Sequence, residues 1–308
     1  MKKLGRLYLD SRDLIELVST NRPVPPHELA NVLRANYWAV VYSLANVCET
    51  AIPEDLEETK RRALLLKSLP HTFIRGMPPI RWMEFPAAIR GFESQVEPTP
   101  INPYAKHWYQ TFLYRAQDRE MKRVARFSFE DQVVFMVANN PDLCRNLPAN
   151  TAQIQQAVDD DRQVSDPVRR NRQRFEGGVA VALARCGLSM PTAGKKEFAR
   201  WIRQNPTRCP GWRLFDEGYL KFASNVSDSV DHGDMNDWSH VTSLPYVDGM
   251  TLDRRIAGYA RAAAENVKRE NPACAYAERI FKDTQGWLQA GAPSNSRLQP
   301  TPPAAQSE

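Results

Sequence analysis

With 308 residues, 42% of them apolar and 25% charged, the chain can bury a substantial core and has length for one large domain or two ordinary ones. No stretch approaches the ~18 uncharged apolar residues of a spanning helix, and the start MKKLGRLYLDSRD lacks the apolar core of a signal peptide, so no membrane-spanning helix is expected and the chain is expected in the cytosol. The net charge of +5 suits a polyanion partner but also many other basic proteins.

Taken in chain order, residues 4–10 (LGRLYLD) read as a short strand and residues 11–19 as a helix, with Ser11 or Asp10 placed to cap its first turn. Pro23, Pro25 and Pro26 turn the chain into a helix over about 27–34. Residues 37–43 (YWAVVYS), aromatic and β-branched, suit a buried strand, and residues 44–51, carrying Glu49, read as a helix. Strand alternating with helix points to a parallel sheet covered by helices. From 53 to about 230 the apolar spacing is mostly helical, as in EDLEETKRRALLLKSL and VRRNRQRFEGGVAVALARCG; Gly177-Gly178 reads as a helix break and Asp159 to Asp161 as a solvated loop. Strand character returns over 245–251 (PYVDGMT), followed by a helix over 253 to about 270, a strand over 276–281 and a last helix over 284–290. An α/β domain over 1–52 and 231–291 is thus split by a helical insertion over 53–230, and the Pro/Ser/Ala-rich tail over 292–308 reads as disordered.

Ligands of open parallel sheets collect outside the carboxyl ends of the strands, and acidic residues fall there. Asp10 stands where the first strand ends, and Glu49 lies on the helix after the second. Asp234 and Asp237, three apart, share a face if GDMNDWSHV is helical. Asp253 follows the strand around Val247, Thr251 is placed to hold its carboxylate through a hydroxyl hydrogen bond, and Asp248 is an outer-ligand candidate. Carboxylates converging without basic partners repel one another, and a bound Mg²⁺ or Mn²⁺ relieves that cost. Such an ion polarises a phosphodiester oxygen and lowers the pKa of an attacking water. A zinc hydrolase is not indicated, because neither His232 nor His240 has a second histidine at ligand spacing.

Five pieces in order, YLDS, VVYSLANVCE, DMNDWSH, PYVDGMTLDRR and ERIFKDTQGWLQ, resemble a PIN-like nuclease domain over roughly the first fifty and last seventy residues. The resemblance implies a three-layer α/β fold, a parallel sheet flanked by helices, with the large α-helical insertion as an addition. It also implies a metal-dependent endoribonuclease that hydrolyses RNA phosphodiester bonds with Mg²⁺ or Mn²⁺. Asp10 then matches the acidic residue after the first strand, Glu49 the helix glutamate and Asp253 the aspartate of the T-x-D turn. The third acidic position falls to Asp237, which begins a D-x-x-H pattern with His240, or to Asp234, 19 positions before Asp253. Two alternatives stand beside this reading: a non-enzymatic PIN-like module that binds RNA or protein, and a structure-dependent DNA nuclease. A homodimer and an inhibitory protein partner are further partners that the resemblance leaves open.

His240 is read either as positioning a phosphate or as an inward-facing structural histidine. Basic clusters at Arg119, Lys122, Arg123, Arg126 and at Arg169, Arg170, Arg172, Arg174 would form stripes able to follow a phosphate backbone. Trp108, Tyr109, Tyr114 and Phe175 are then candidates to stack on unpaired bases. An ordinary basic solvent face over core aromatics is the competing reading. No phosphate-binding glycine loop is present, and the five cysteines form no C-x-x-C pair, which favours buried free thiols over disulfides or thiolate zinc.

Overall fold

An apolar run such as Leu7-Tyr8-Leu9 needs cover on both faces, the condition of a central strand in a parallel sheet. The computed structural model of the chain describes residues 4–19, 24–94, 100–111, 124, 126–141, 151–163, 166–225, 227–229 and 234–291. The first half carries β1 (Gly5–Tyr8), α1 (Ser11–Val18), α2 (Pro26–Ala35), β2 (Trp38–Tyr42), α3 (Leu44–Cys48), α4 (Leu56–Ser68), β3 (His71–Ile74), α5 (Met77–Ser94), β4 (Tyr104–Ala105) and α6 (Phe129–Asn139). There follow α7 (Thr151–Gln163), α8 (Pro167–Arg185), α9 (Thr192–Gln204), α10 (Pro210–Ser224), α11 (Asp234–Val241), β5 (Gly249–Thr251), α12 (Arg254–Glu270), β6 (Ile280–Phe281) and α13 (Thr284–Gln289).

The six strands form one sheet in the order β4-β3-β2-β1-β5-β6. All neighbours run parallel except β3 with β4. Because successive strand residues point to opposite faces, Leu7 and Leu9 join Leu14, Leu29, Leu33, Leu66 and Trp287 on one side. Tyr8, Val41 and Met250 join Leu214, Phe222, Trp238 and Ile256 on the other. A third apolar cluster, around Phe85, Phe175, Phe198 and Trp212, packs α5, α8, α9 and α10 together.

Three expectations are corrected. First, residues 53–230 are not only helical: β3 pairs with β2 and β4 with β3, so this stretch contributes two strands to the sheet. The strands hold four and two residues, too few to show a period, and prolines bound them. Second, Gly177-Gly178 breaks nothing, since α8 runs through both. A Cβ on Gly178 would lie 3.2 Å from Asp216 Oδ1 and 3.4 Å from Trp212, so the glycine permits close approach of α8 to α10. Third, Asp159 to Asp161 lie within α7 rather than in a loop.

Cys48, Cys209 and Cys274 are buried free thiols and Cys186 is half-buried; Cys144 and the tail over 292–308 lie outside the described residues. Among the described residues no helix is long and apolar enough to cross a membrane.

Candidate metal centre

The site grows from the carboxyl end of β1. Asp10 occupies the N-cap of α1, yet its carboxylate makes no capping hydrogen bond, and the residue is 5% exposed. Its own N–H donates to Thr251 Oγ1 at 2.8 Å, fastening the end of β1 to the end of β5. The expectation that Thr251 holds the Asp253 carboxylate is therefore corrected: its buried hydroxyl serves Asp10. Asp253 is the N-cap of α12, where its carboxylate accepts the Arg255 N–H at 2.9 Å. Its side chain is 49% exposed and lies 4.0 Å from Arg12, at the rim.

Asp248 belongs to the opposite end of the sheet. Its carboxylate accepts the Arg6 N–H at 3.0 Å, just before β5 begins. At about 3.3 Å per strand residue, three residues put it roughly 10 Å from the rim, so the outer-ligand reading is corrected by strand direction alone.

Asp237 and His240 both stand on α11, three apart and so on one face. Trp238, between them, is buried against Phe222 and Tyr259, and the missing side chain of Gly218 lets it seat on α10, since a Cβ there would stand 2.5 Å from its ring. So seated, α11 brings a carboxylate oxygen of Asp237 and a ring nitrogen of His240 within 4.8 Å of each other and of an Asp10 oxygen. The helix starts at Asp234, whose side chain lies outside the described residues.

His240 is 1% exposed. Nδ1 meets the Tyr8 hydroxyl at 2.5 Å; Nε2 has no hydrogen-bond partner, with Glu49 Oε2 3.7 Å away at ion-pair range. Burial pushes the imidazole pKa down, but Glu49, Asp10 and Asp237 together outweigh it and hold it at about 9. Burial also dominates at Asp237, pushed up to about 7 with help from Asp10, Glu49 and Asp253 and against the pull of His240. The Asp10 carboxyl is raised by burial and by Glu49, with His240 and the Ser11 N–H opposing. Glu49 is the C-cap of α3 and accepts the Ser11 hydroxyl, so it flanks the tight group.

Several residues that shape the site escaped the sequence reading. Tyr8 donates or accepts between His240 and Ser43, whose hydroxyl lies 2.8 Å from the phenol. Its signal was available: two residues before Asp10 on a strand places it on the same face. Asn46 forms a capping box with Ser43 and ties the ends of β1 and β2 through Leu9 O and Val41 O. Asp13 is buried, accepts the Thr284 N–H at 3.1 Å, and is raised by burial; an acidic residue in a first helical turn gives no sign of this.

The proposed substrate contacts are partly redistributed. The guanidinium of Arg174 lies 3.5 Å over the Tyr219 ring beside Asp216, so it is held within the fold rather than on a stripe for phosphates. His240 is too deeply buried to touch a bound phosphate. Trp108 donates to Ser43 O at 3.3 Å and is buried, as is Phe175, so neither ring offers a stacking face. The side chains of Arg169, Arg170 and Arg172, and residues Tyr114, Arg119, Lys122 and Arg123, lie outside the described residues.

No protein-family model, curated protein or solved structure matches this chain.

Proposed function

We propose that the chain is a metal-dependent endoribonuclease of PIN-like type, in which Asp10 and Asp237 hold Mg²⁺ or Mn²⁺ with Glu49 and Asp253 at the margin. One observation supports it most. Asp10 occupies a helix N-cap but keeps its carboxylate out of the cap, and that carboxylate gathers with Asp237 and His240 within 4.8 Å at the carboxyl end of parallel strands.

The donor set fits a divalent ion, because carboxylates crowded in a half-dry site are relieved by a cation and the buried His240 Nε2 lacks a hydrogen-bond partner. A bound ion supplies polarisation of a phosphodiester oxygen and a lowered pKa for the attacking water. The Thr251 hydroxyl fixes the backbone at Asp10. Ser11 orients Glu49. Arg12, with its side chain 43% exposed beside Asp253, stands at the rim to meet a substrate phosphate. The reading of Arg169, Arg170 and Arg172 as RNA contacts belongs to the same proposal, and charge reversal at Arg169 and Arg170 is expected to weaken RNA binding and to make its loss with salt shallower.

The test compares wild type with Asp10→Asn on labelled single-stranded RNA, structured RNA and single-stranded DNA, each with Mn²⁺, Mg²⁺ or EDTA. Ion-dependent RNA cleavage is expected, reduced about 10²-fold or more in the variant, the scale seen when one charge-stabilising group is removed. Cleavage of DNA alone would change the polymer. RNA binding in EDTA with no turnover in either ion would leave a binding module, and equal cleavage by Asp10→Asn would remove this site.

A further inference from the structure

We infer that His240 is itself a metal ligand, through Nε2, and that the centre therefore prefers a borderline transition ion such as Mn²⁺ or Co²⁺ over Mg²⁺. This rests on the metal-centre reading above and deepens it.

The argument follows the direction of a buried hydrogen-bond chain. Asn46 Nδ2 donates to Leu9 O at 3.1 Å and Val41 O at 3.3 Å, two carbonyls that can only accept. Asn46 Oδ1 must therefore be the acceptor of the Ser43 N–H at 2.8 Å and of the Ser43 hydroxyl at 3.2 Å. With its proton committed to Asn46, Ser43 Oγ accepts from the Tyr8 hydroxyl at 2.8 Å. The Tyr8 oxygen, its own proton committed in turn, accepts from His240 Nδ1–H at 2.5 Å. Every link is oriented by the one before it, so Nδ1 keeps its proton and Nε2 is the nitrogen that an incoming ion would take, releasing the proton that the surrounding carboxylates favour there in the empty site.

The nearest anionic atom to that nitrogen is not in hydrogen-bond contact with it, Glu49 Oε2 standing 3.7 Å away. Nε2 is buried and makes no hydrogen bond, and the ring belongs to the group whose ligand atoms lie within 4.8 Å of Asp10 and Asp237. An imidazole oriented from behind through its other nitrogen, with anionic oxygens in front, is how proteins present a ligating histidine. One imidazole nitrogen beside two carboxylates changes the ion that fits. Mg²⁺ takes oxygen donors and sheds water reluctantly, whereas nitrogen donors strengthen binding of first-row transition ions. The inference also gives a role to the buried Tyr8 hydroxyl, which Ser43 and Asn46 orient while they cap α3. Tyr8 acts as a positioning residue.

The experiment measures ion binding directly. Calorimetric titration with Mg²⁺, Mn²⁺ and Co²⁺ is run on wild type, His240→Gln, Tyr8→Phe and Asp10→Asn, and pulsed EPR of the Mn²⁺-loaded wild type is searched for coupling to ¹⁴N. The expected results are a ¹⁴N signal in wild type that His240→Gln loses, and a Co²⁺-to-Mg²⁺ affinity ratio that falls about tenfold or more in that variant. Tyr8→Phe is expected to keep the nitrogen signal while weakening Co²⁺ about tenfold, as loss of an orienting partner does. Asp10-dependent Mn²⁺ binding with no ¹⁴N coupling, or an unchanged ratio in His240→Gln, would overturn the histidine ligand and leave the carboxylate centre standing. No binding of any ion by wild type would overturn both. If His240→Gln does not fold, the wild-type nitrogen signal decides alone.

Discussion

Asp10 and Asp253 look alike in sequence: each follows a strand and opens a helix. Their side chains do different work, because Asp253 gives an oxygen to the Arg255 N–H at the exposed rim while Asp10 is buried with no capping bond. Opposite effects of substitution are expected. Asp10→Asn removes a buried charge that burial and Glu49 disfavour, so the melting temperature in EDTA should hold or rise while ion binding is lost. Asp253→Ala should cost about 1 kcal/mol through the missing cap and leave ion binding weakened but present. Calorimetric melting paired with ion titration reads both; a destabilised Asp10→Asn would contradict the account. Asp248→Ala, at the far end of β5, should leave ion affinity unchanged.

At the level of elements, α11 is seated by the helix it crosses. Gly211 and Gly218 lie seven apart on α10, hence on one face. A Cβ on the first would stand 2.5 Å from Thr242 O and on the second 2.5 Å from Trp238. Alanine at 218 would gain about 0.8–1.0 kcal/mol of helix propensity but overpack the contact by about 1–3 kcal/mol. Gly218→Ala should therefore destabilise and, by shifting Trp238, loosen the Asp237 and His240 pair. Gly258→Ala on α12, where a Cβ meets nothing within 4 Å, should gain the propensity alone. Denaturant melts with Mn²⁺ titration separate the two; equal behaviour would mean that the glycine does not set the site. The helices themselves were legible from their apolar period, as with α1, α2 and α12, and so was β2. The strands β3 and β4 were not, being too short to carry a period.

For the molecule as a whole, a carboxyl far from the candidate metal centre is expected to set part of the pH dependence of stability. Glu84, on α5, accepts the Gly211 and Trp212 N–H groups at the start of α10 and the Tyr246 hydroxyl, all in the dry interior. Burial pushes it up to about 7 from 4.5, against those hydrogen bonds. A raised carboxyl pKa contributes stability that is full below pH 4.5 and lost as pH rises through 7. At about 1.36 kcal/mol per unit the loss is of order 3 kcal/mol. Glu84→Gln keeps an oxygen for only one of the two N–H groups, which donate to different carboxylate oxygens, so it should lower the stability curve as well as flatten it across that window in urea melts. A slope unchanged by the substitution would place the titration elsewhere, with Asp216, raised by burial to about 6, the next group to test.

The amino-acid sequence determined the local pieces: strands buried on both faces, amphipathic helices, and acidic residues at their ends, since these follow from periods of two and 3.6 residues that act over a few positions. Only the tertiary structure decided which of those acids meet. Asp10 and Thr251 touch across 241 positions because β1 lies beside β5 in the sheet, and no local period encodes that neighbourhood. Strand direction sent Asp248 to the wrong end, a cap at the rim took Asp253, and a chain of hydrogen bonds from Asn46 to Tyr8 turned His240 toward the carboxylates. Distances between side chains follow from the order in which elements stack, whereas residue types follow from the sequence.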